Sequence, residues 1–170
     1  MHPIIPQIVG LLAVVSFLLS YQQKKRINII IVNIVSRVLY ILQYVLLGAY
    51  AGAVLDALGI VASVIASKKD SPWMKKRLKT IIIMSDLAII AIGCLFIKSY
   101  LDILPIIGIL LHTGAFWLYD ERKIRIISLG GSPFWFIYNF ASRAYGSAVG
   151  DVLIMISIIV AMVRFRKKLI

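Results

Sequence analysis

The sequence has a single cysteine, few acidic residues and little charge of any kind. Cys94 alone cannot form an intramolecular disulfide, and one thiol does not make a cysteine metal cluster. Charged residues make up 15% of the chain, whereas soluble proteins carry about a quarter, and 61% of the residues are hydrophobic. This composition excludes a soluble globular domain. Since 19 basic residues stand against 7 acidic ones, the net charge of +12 needs its own explanation.

Long apolar stretches recur along the whole chain. A helix of roughly 17–25 apolar residues is long enough to cross a bilayer. The sequence therefore predicts an all-α polytopic membrane protein with seven transmembrane helices. The predicted spans are 4–21, 27–48, 49–67, 79–97, 101–119, 126–142 and 144–163. Small-residue segments, GAYAG at 48–52 and SRAYGS at 142–147, separate two pairs of spans that would otherwise merge into very long helices.

Most basic residues fall in alternate loops of this seven-span arrangement. They are Lys24, Lys25, Arg26, Lys68, Lys69, Lys75, Lys76, Arg77, Lys79, Arg122, Lys123, Arg125, Arg164, Arg166, Lys167 and Lys168. By the positive-inside rule, these loops and the C-terminus are cytoplasmic and the N-terminus is outside. Membrane topology and contact with anionic lipids explain the positive charge, so nucleic acid is not an expected partner.

Two parts of the chain nearly repeat each other. AYAGAVLDAL (49–58) matches AYGSAVGDVL (144–153), and a shift of 95 residues aligns spans two and three with spans six and seven. Because both copies enter the membrane from the same side, the sequence predicts two parallel three-helix repeats joined by a linker helix. The expected divisions are a first bundle at 1–67, a basic loop with the linker helix at 68–100, and a second bundle with a basic tail at 101–170.

Polar side chains form one stripe along span two and another along span six. The stripe residues are Asn33, Ser36, Arg37, Tyr40, Gln43 and Tyr44 in span two, and Ser128, Ser132, Trp135, Tyr138, Asn139 and Ser142 in span six. At 100° per residue, each stripe covers an arc of about 120°. A helix in lipid cannot leave such groups facing hydrocarbon, so both stripes face protein or water. They either line a cavity or join helices through interhelical hydrogen bonds.

Charged residues inside the predicted spans point to a site. A charge at mid-membrane costs at least about 2.5–3.5 kcal/mol and marks a pathway or an ion pair. Arg37 is the expected partner of Asp56, either within a site or as a purely structural salt bridge. Asp151 has no matched arginine, because Ser132 stands at that position, so Asp151 is the candidate proton carrier. His112 is either a proton relay or a hydrogen-bonded interior histidine.

These observations define a candidate cavity. The expected substrate-binding residues are Arg37, Tyr40, Asp56, Trp135, Asn139 and Asp151. The expected secondary residues of the cavity are Asn33, Ser36, Gln43, Tyr44, His112 and Tyr138. The sequence has no constellation of metal ligands, no GxSxG motif and no phosphate-cradling loop, so we expect neither an enzyme nor a bound metal or cofactor.

Several of these features resemble a known family. They are the segment GLLAVVSFLLSYQQKKRIN (10–28), the helix-two aromatics Tyr40 and Trp135, and the helix-three aspartates Asp56 and Asp151. Over essentially its whole length the chain resembles the YgjV-type bacterial inner membrane proteins. Its three-plus-one-plus-three plan is similar to that of the SWEET, PQ-loop and PnuC transporters. The resemblance implies a bacterial inner membrane location and a pocket built from helix-two aromatics and helix-three polar residues.

The chain differs from SWEET-type transporters at two places. Their first helix ends in a Pro-Gln hinge, where this chain has Tyr21-Gln22 and, in the second copy, Tyr119-Asp120. Their pocket has paired asparagines, where this chain has aspartates. The acidic pair favours proton coupling or a cationic ligand over a neutral, sugar-like substrate.

Two functional hypotheses from different classes follow. The first is a small polar-solute transporter that works by alternating access around a central cavity with an aspartate pair, with proton coupling as an option. The alternative is a non-transporting receptor or scaffold, in which the polar residues inside the membrane only set helix registry. The expected partners are a small polar molecule, membrane lipids and, as one option, a second copy of the chain in a homo-oligomer.

Overall fold

Helices form all the regular secondary structure in the described parts of the chain. The computed structural model describes residues 4–142 and 144–166. Its helices are α1 (Ile4–Tyr21), α2 (Arg26–Leu47), α3 (Tyr50–Ser67), α4 (Pro72–Leu95), α5 (Ile103–Phe116), α6 (Glu121–Ala141) and α7 (Tyr145–Arg166), with a short 3-10 helix at Tyr100–Asp102. The predicted all-helical class and the number of seven helices are confirmed for these residues.

Capping residues explain where several helices begin and end. Gly48 ends α2 with a left-handed backbone (φ 72°), a conformation that a residue without Cβ adopts at little cost. Ser71 caps the first turn of α4, and Pro72 occupies its first position. The side chain of Asp120 accepts hydrogen bonds from two backbone N–H groups in the first turn of α6. Because of these caps, α4 and α6 both begin earlier than the hydropathy pattern predicts.

Five of the seven helices are long and apolar enough to cross a membrane. They are α1, α2, α3, α4 and, over Tyr145–Phe165, α7. Helix α5 has only 14 residues, and α6, although it has 21, carries more polar residues along its length. Large apolar side chains such as Leu11, Val38 and Val149 are exposed on the outside of the protein. An exterior of this kind suits hydrocarbon as the surrounding medium.

The helices pack in a cyclic order. Helix α1 contacts α2, α2 contacts α3, α3 contacts α5, α5 contacts α6, α6 contacts α7, and α7 contacts α1. We call these six helices the ring. Helix α4 packs on α3 and α5 and buries only Met74, Ile89 and Gly93. The interior of the protein is therefore the space that the six ring helices surround.

This interior holds the polar stripes. All six stripe residues of α2 are buried, and so are five of the six in α6. The prediction that the stripes avoid lipid is confirmed for these residues. The sixth residue of that stripe, Ser142, follows the last residue of α6 and is exposed at the end of the helix. The face of α3 that carries Asp56 is also buried.

Candidate functional site

A cavity lies inside the ring, and every ring helix contributes to it. Its lining residues are Phe17 (α1), Ser36, Arg37, Tyr40 and Tyr44 (α2), Asp56 (α3), His112 (α5), Trp135 and Asn139 (α6) and Asp151 (α7). The empty space around these side chains is about 310 Å³, of which about 20 Å³ accepts the centre of a water molecule. One water needs roughly 10–15 Å³ of such space, so this conformation holds about one or two waters.

The cavity brings together all six residues that the sequence predicts to bind substrate. Among the secondary residues, Ser36, Tyr44 and His112 line it, whereas Asn33, Gln43 and Tyr138 are buried outside its lining. The sequence analysis missed Phe17, because one aromatic residue among the apolar residues of a membrane helix gives no separate signal. That these residues bind a solute stays a prediction.

Arg37 and Asp56 form a buried ion pair. The Nη1 atom of Arg37 lies 2.7 Å from Oδ1 of Asp56, and both side chains are about 95% buried, with exposures of 4% and 5%. The Nε of Arg37 also donates to Oδ1 of Asn33 at 2.9 Å. Gly59 leaves room for the guanidinium, because a Cβ at that position would lie 2.5 Å from Nη1. The predicted pairing of Arg37 with Asp56 is confirmed.

Asp151 has a different environment. Its Oδ2 accepts a hydrogen bond of 2.8 Å from Nδ2 of Asn139, whose Oδ1 accepts one of 2.8 Å from the hydroxyl of Tyr44. Asp151 is 5% exposed. Within residues 4–142 and 144–166, the ion pair of Arg37 with Asp56 is the only salt bridge, so Asp151 has no cationic partner there. One wall of the cavity thus carries a buried carboxylate held by a neutral amide.

Aromatic rings form another wall. Phe17 meets Tyr40 edge to face at 6.3 Å between ring centroids. Tyr44 stacks on Tyr40 at 6.2 Å and on Trp135 at 6.4 Å. Gly108 of α5 leaves room for Trp135, because a Cβ there would lie 2.7 Å from the indole ring. The hydroxyl of Tyr40 is buried and has no hydrogen-bond partner among the described residues.

Two secondary residues are held by hydrogen bonds between helices. Gln43 of α2 accepts a hydrogen bond of 2.8 Å from the hydroxyl of Ser147 in α7. Nε2 of His112 lies 3.0 Å from the carbonyl oxygen of Ser128, so this nitrogen carries the proton and donates it. His112 is therefore a hydrogen-bonded interior histidine that also faces the cavity.

The ends of the helices next to the basic loops are tied together by three cations. Arg125 of α6 donates to the carbonyl oxygens of Tyr21 and Gln23, at the end of α1, over 3.3 and 2.9 Å. Arg26, at the start of α2, donates to the carbonyl oxygen of Phe116, at the end of α5, over 2.7 and 3.1 Å. Cations at these positions also interact favourably with the negative ends of the helix dipoles.

Lys69 is the third cation at this end. It follows α3, and its Nζ donates to two carbonyl oxygens just beyond α5, those of Trp117 and Leu118, at 2.6 Å each. Nζ also lies 3.5 Å from the centre of the Tyr119 ring. Burial, and secondarily the charge of Arg26, lowers the pKa of Lys69 to about 8, so the ammonium group is still mostly protonated at pH 7. Sequence reasoning treated these cations as loop charges and missed their contacts.

Comparison with known proteins shows one family. The sequence model of the YgjV-type bacterial inner membrane proteins matches residues 4–169, which is nearly the whole chain, and the chain belongs to this family. No curated protein and no solved structure is similar enough to match. The family places the protein in the bacterial inner membrane, in agreement with its apolar helices.

Proposed function

We propose that this member of the bacterial inner membrane protein family transports a small polar solute across the cytoplasmic membrane. One observation carries the proposal: a cavity lined by Arg37, Asp56 and Asp151 lies inside a helical ring whose outside is apolar. Ionisable groups in such a place are costly, and proteins that move solutes or ions across membranes use them along the pathway. Every ring helix reaches the cavity, so a movement of one helix group against the other would change access to it.

The proposed moving parts are two parallel three-helix units, α1–α3 and α5–α7, with α4 as the linker. One pair of helix contacts and one hydrogen bond support this division. Helix α1 packs on α7 as α5 packs on α3, which is the pairing expected if an approximate two-fold axis relates the units. The hydrogen bond from Tyr44 to Asn139 joins residues 95 positions apart, which are counterparts in the repeat. The proposed plan is that of the SWEET-like transporters.

The small size of the cavity supports alternating access. Space for about one or two waters is too little for a metabolite, so the ring has to open for a solute to enter. The contacts of Arg26 with Phe116, of Lys69 with Trp117 and of Arg125 with Tyr21 join one proposed unit to the other. They would close the cytoplasmic end in this conformation and would break when that end opens. In this proposal the N-terminus is outside and the C-terminus is cytoplasmic.

Asp151 is the proposed site of proton coupling. A buried carboxylate with no cation beside it is stabilised either by a proton or by a cationic ligand. Exchange of one for the other would link solute movement to proton movement. The ionisable groups that share the cavity with it are Arg37, Tyr40, Tyr44, Asp56 and His112.

Uptake into proteoliposomes tests the proposal. Solutes that raise the thermal stability of the purified protein would be offered, as labelled compounds, to vesicles with and without an inward proton gradient. We expect uptake by the wild type, loss of uptake in the Asp56→Ala/Asp151→Ala double variant, and wild-type uptake in Asp86→Ala, whose carboxylate is not in the cavity lining. Uptake that survives the double variant would contradict the assigned site.

The receptor or scaffold hypothesis predicts another pattern. No solute in the screen would then be taken up, and the cavity variants would change only stability or the recovery of a co-purifying protein. The receptor or scaffold hypothesis accounts for one feature of the structure, which is the close packing of side chains around the cavity. The two hypotheses therefore separate on uptake, while both expect the Arg37–Asp56 pair to affect folding.

The proposed orientation has a test of its own. Cys94 is the single cysteine of the chain, is exposed, and lies one residue before the end of α4. With a cytoplasmic basic loop before α4, Cys94 comes to the outer surface. A membrane-impermeant maleimide should label it from the outside of intact cells before purification. Labelling only after the membrane is permeabilised would reverse the proposed orientation.

A further inference from the structure

The charges that line the cavity do not balance. Arg37 neutralises Asp56 at 2.7 Å, whereas Asp151 is held only by Asn139 among the described residues. With His112 neutral and Asp151 ionised, the lining carries one excess negative charge, although the whole chain carries a net charge of +12, and either a proton or a cationic ligand balances it. An ionised carboxylate in a buried site needs a counter-charge, because desolvation alone is unfavourable. A ligand that brings a positive charge to Asp151 would supply it.

The aromatic wall narrows the kind of cation. Phe17, Tyr40, Tyr44 and Trp135 line the same cavity as Asp151. Aromatic rings attract cations, Trp most strongly, and groups of such rings recognise organic ammonium ions. A small inorganic cation instead needs several oxygen ligands at close range. The described part of the chain holds no group of His, Cys, Asp or Glu residues suited to a metal ion. The lining therefore fits a cation that also has hydrocarbon surface.

One polar group in this wall has no partner. The hydroxyl of Tyr40 is buried, in a residue that is 7% exposed, and bonds to none of the described residues. Buried hydroxyls in native proteins are nearly always hydrogen-bonded, so an unpartnered one beside a cavity marks a position for a ligand or a water. Together with Asp151, it gives a ligand one ionic contact and one polar contact.

We propose that the solute of this transporter is a small organic cation, whose positive group binds at Asp151 beside the rings of Tyr40, Tyr44 and Trp135. The inference rests on the proposed transport function. It excludes anionic solutes, which ionised Asp151 repels, and it favours cations over neutral solutes, because with a neutral solute only a proton can neutralise that carboxylate. The Arg37–Asp56 pair, which lines the same cavity, serves in this proposal as a fixed, neutral part of the wall.

A matched pair of probes tests the charge requirement on the wild-type protein. The protein, purified in a neutral detergent, would be titrated with tetramethylammonium, methylammonium, N-methylpyridinium and choline, and with 3,3-dimethylbutan-1-ol, the neutral carbon isostere of choline. Heat of binding and thermal stability are the readouts. We expect at least one cation to bind, and choline, if it binds, to bind at least about tenfold more tightly than its isostere.

Variants then locate the site. Asp151→Asn keeps the size of the side chain, and we expect it to weaken cation binding at least about tenfold, which corresponds to about 1.4 kcal/mol. Asp86→Asn is the matched control, because it removes another aspartate that lies outside the cavity lining. A thermal unfolding curve for each variant establishes that it is folded before binding is measured.

The outcomes separate the two proposals. Failure of all four cations to bind the wild type, or equal binding to wild type and Asp151→Asn, would overturn the cation assignment. Uptake of a neutral solute that depends on the cavity would leave the transporter standing and overturn the cation assignment. A cation that binds at Asp151 but is never taken up would support the cation site and contradict transport.

Discussion

Asp56 and Asp151 occupy matching positions in the two repeated segments, but they have different surroundings. Asp56 pairs with Arg37, for which Gly59 leaves space. At a shift of 95 residues, Ser132 stands in place of the arginine and the fully buried Ile154 in place of the glycine. The first half thus combines a large cationic side chain with a glycine. The second half combines a small hydroxyl side chain with a large apolar one.

This difference shows that two segments of similar sequence can place their matched aspartates in different chemical surroundings. A large and a small side chain in the first half are matched by a small and a large one in the second. The summed side-chain volume at the two positions is therefore similar, as a close-packed interior requires. The partners differ, however: the carboxylate of the first half has a cation, and that of the second has a neutral amide. In our proposal the pair in the first half is therefore structural, and Asp151 is the residue that binds the ligand.

The largest expected effect is on stability, from Arg37→Leu. Removing one partner of a buried ion pair leaves an uncompensated charge and costs about 3–5 kcal/mol. Asp151→Asn, which breaks no ion pair among the described residues, should change the free energy of unfolding far less. Equilibrium unfolding in mixed detergent micelles measures both. The Arg37→Leu/Asp56→Leu double variant should recover part of the loss, and equal losses for Arg37→Leu and Asp151→Asn would remove the distinction between the halves.

The next largest effect is expected from Gly59→Ala. Its new methyl group would lie 2.5 Å from Nη1 of Arg37 and 2.6 Å from Cδ1 of Ile109, and overpacking of this kind costs about 1–3 kcal/mol. Gly114→Ala is the matched control, because a Cβ there meets nothing within 4 Å. The same unfolding measurement compares them. If the two glycines tolerate alanine equally well, Gly59 is not what makes room for the arginine.

Placing the arginine and the glycine of the first half at the matching positions of the second half compares the two halves most directly. Ser132→Arg combined with Ile154→Gly should bring an arginine to Asp151 as a resident counter-ion. We expect tetramethylammonium, where it binds the wild type, to bind this double variant at least about tenfold more weakly, since the carboxylate is already paired. Titration calorimetry measures the affinity. Ser132→Arg alone should unfold at a lower temperature than the double variant, because it lacks the space that the glycine provides.

The smallest expected effect is a difference in stability between variants of two tyrosines in the aromatic wall. Tyr44→Phe removes a hydrogen bond to Asn139 and should cost about 0.5–1.5 kcal/mol of stability. Tyr40→Phe removes a hydroxyl that has no partner among the described residues, so it should leave stability unchanged or raise it slightly. Thermal unfolding of the two ligand-free variants tests this ranking. A larger loss in Tyr40→Phe would mean that its hydroxyl is bonded in solution.

Sequence reasoning reached the helices and most of the cavity lining for identifiable reasons. Apolar length predicts membrane helices because hydrocarbon satisfies no backbone polar group. The stripe of α2 predicted buried polar residues because periodicity fixes which side chains share a face of a helix. Phe17 could not be found in this way, since nothing distinguishes it from the apolar residues around it. The early starts of α4 and α6 were missed because their first turns are polar and capped.

By itself, the sequence determined that the chain is a helical membrane protein, that two of its segments are similar in sequence, and that Asp56 and Asp151 cannot face lipid. These conclusions need only hydropathy, helical periodicity and the cost of burying charge. Only the tertiary structure decided that six helices bring ten side chains to one cavity, that Asp56 has an arginine while Asp151 has an amide, and that Arg125 and Lys69 bind helix ends instead of water. Such facts depend on distances between residues far apart in the chain, which no local pattern records.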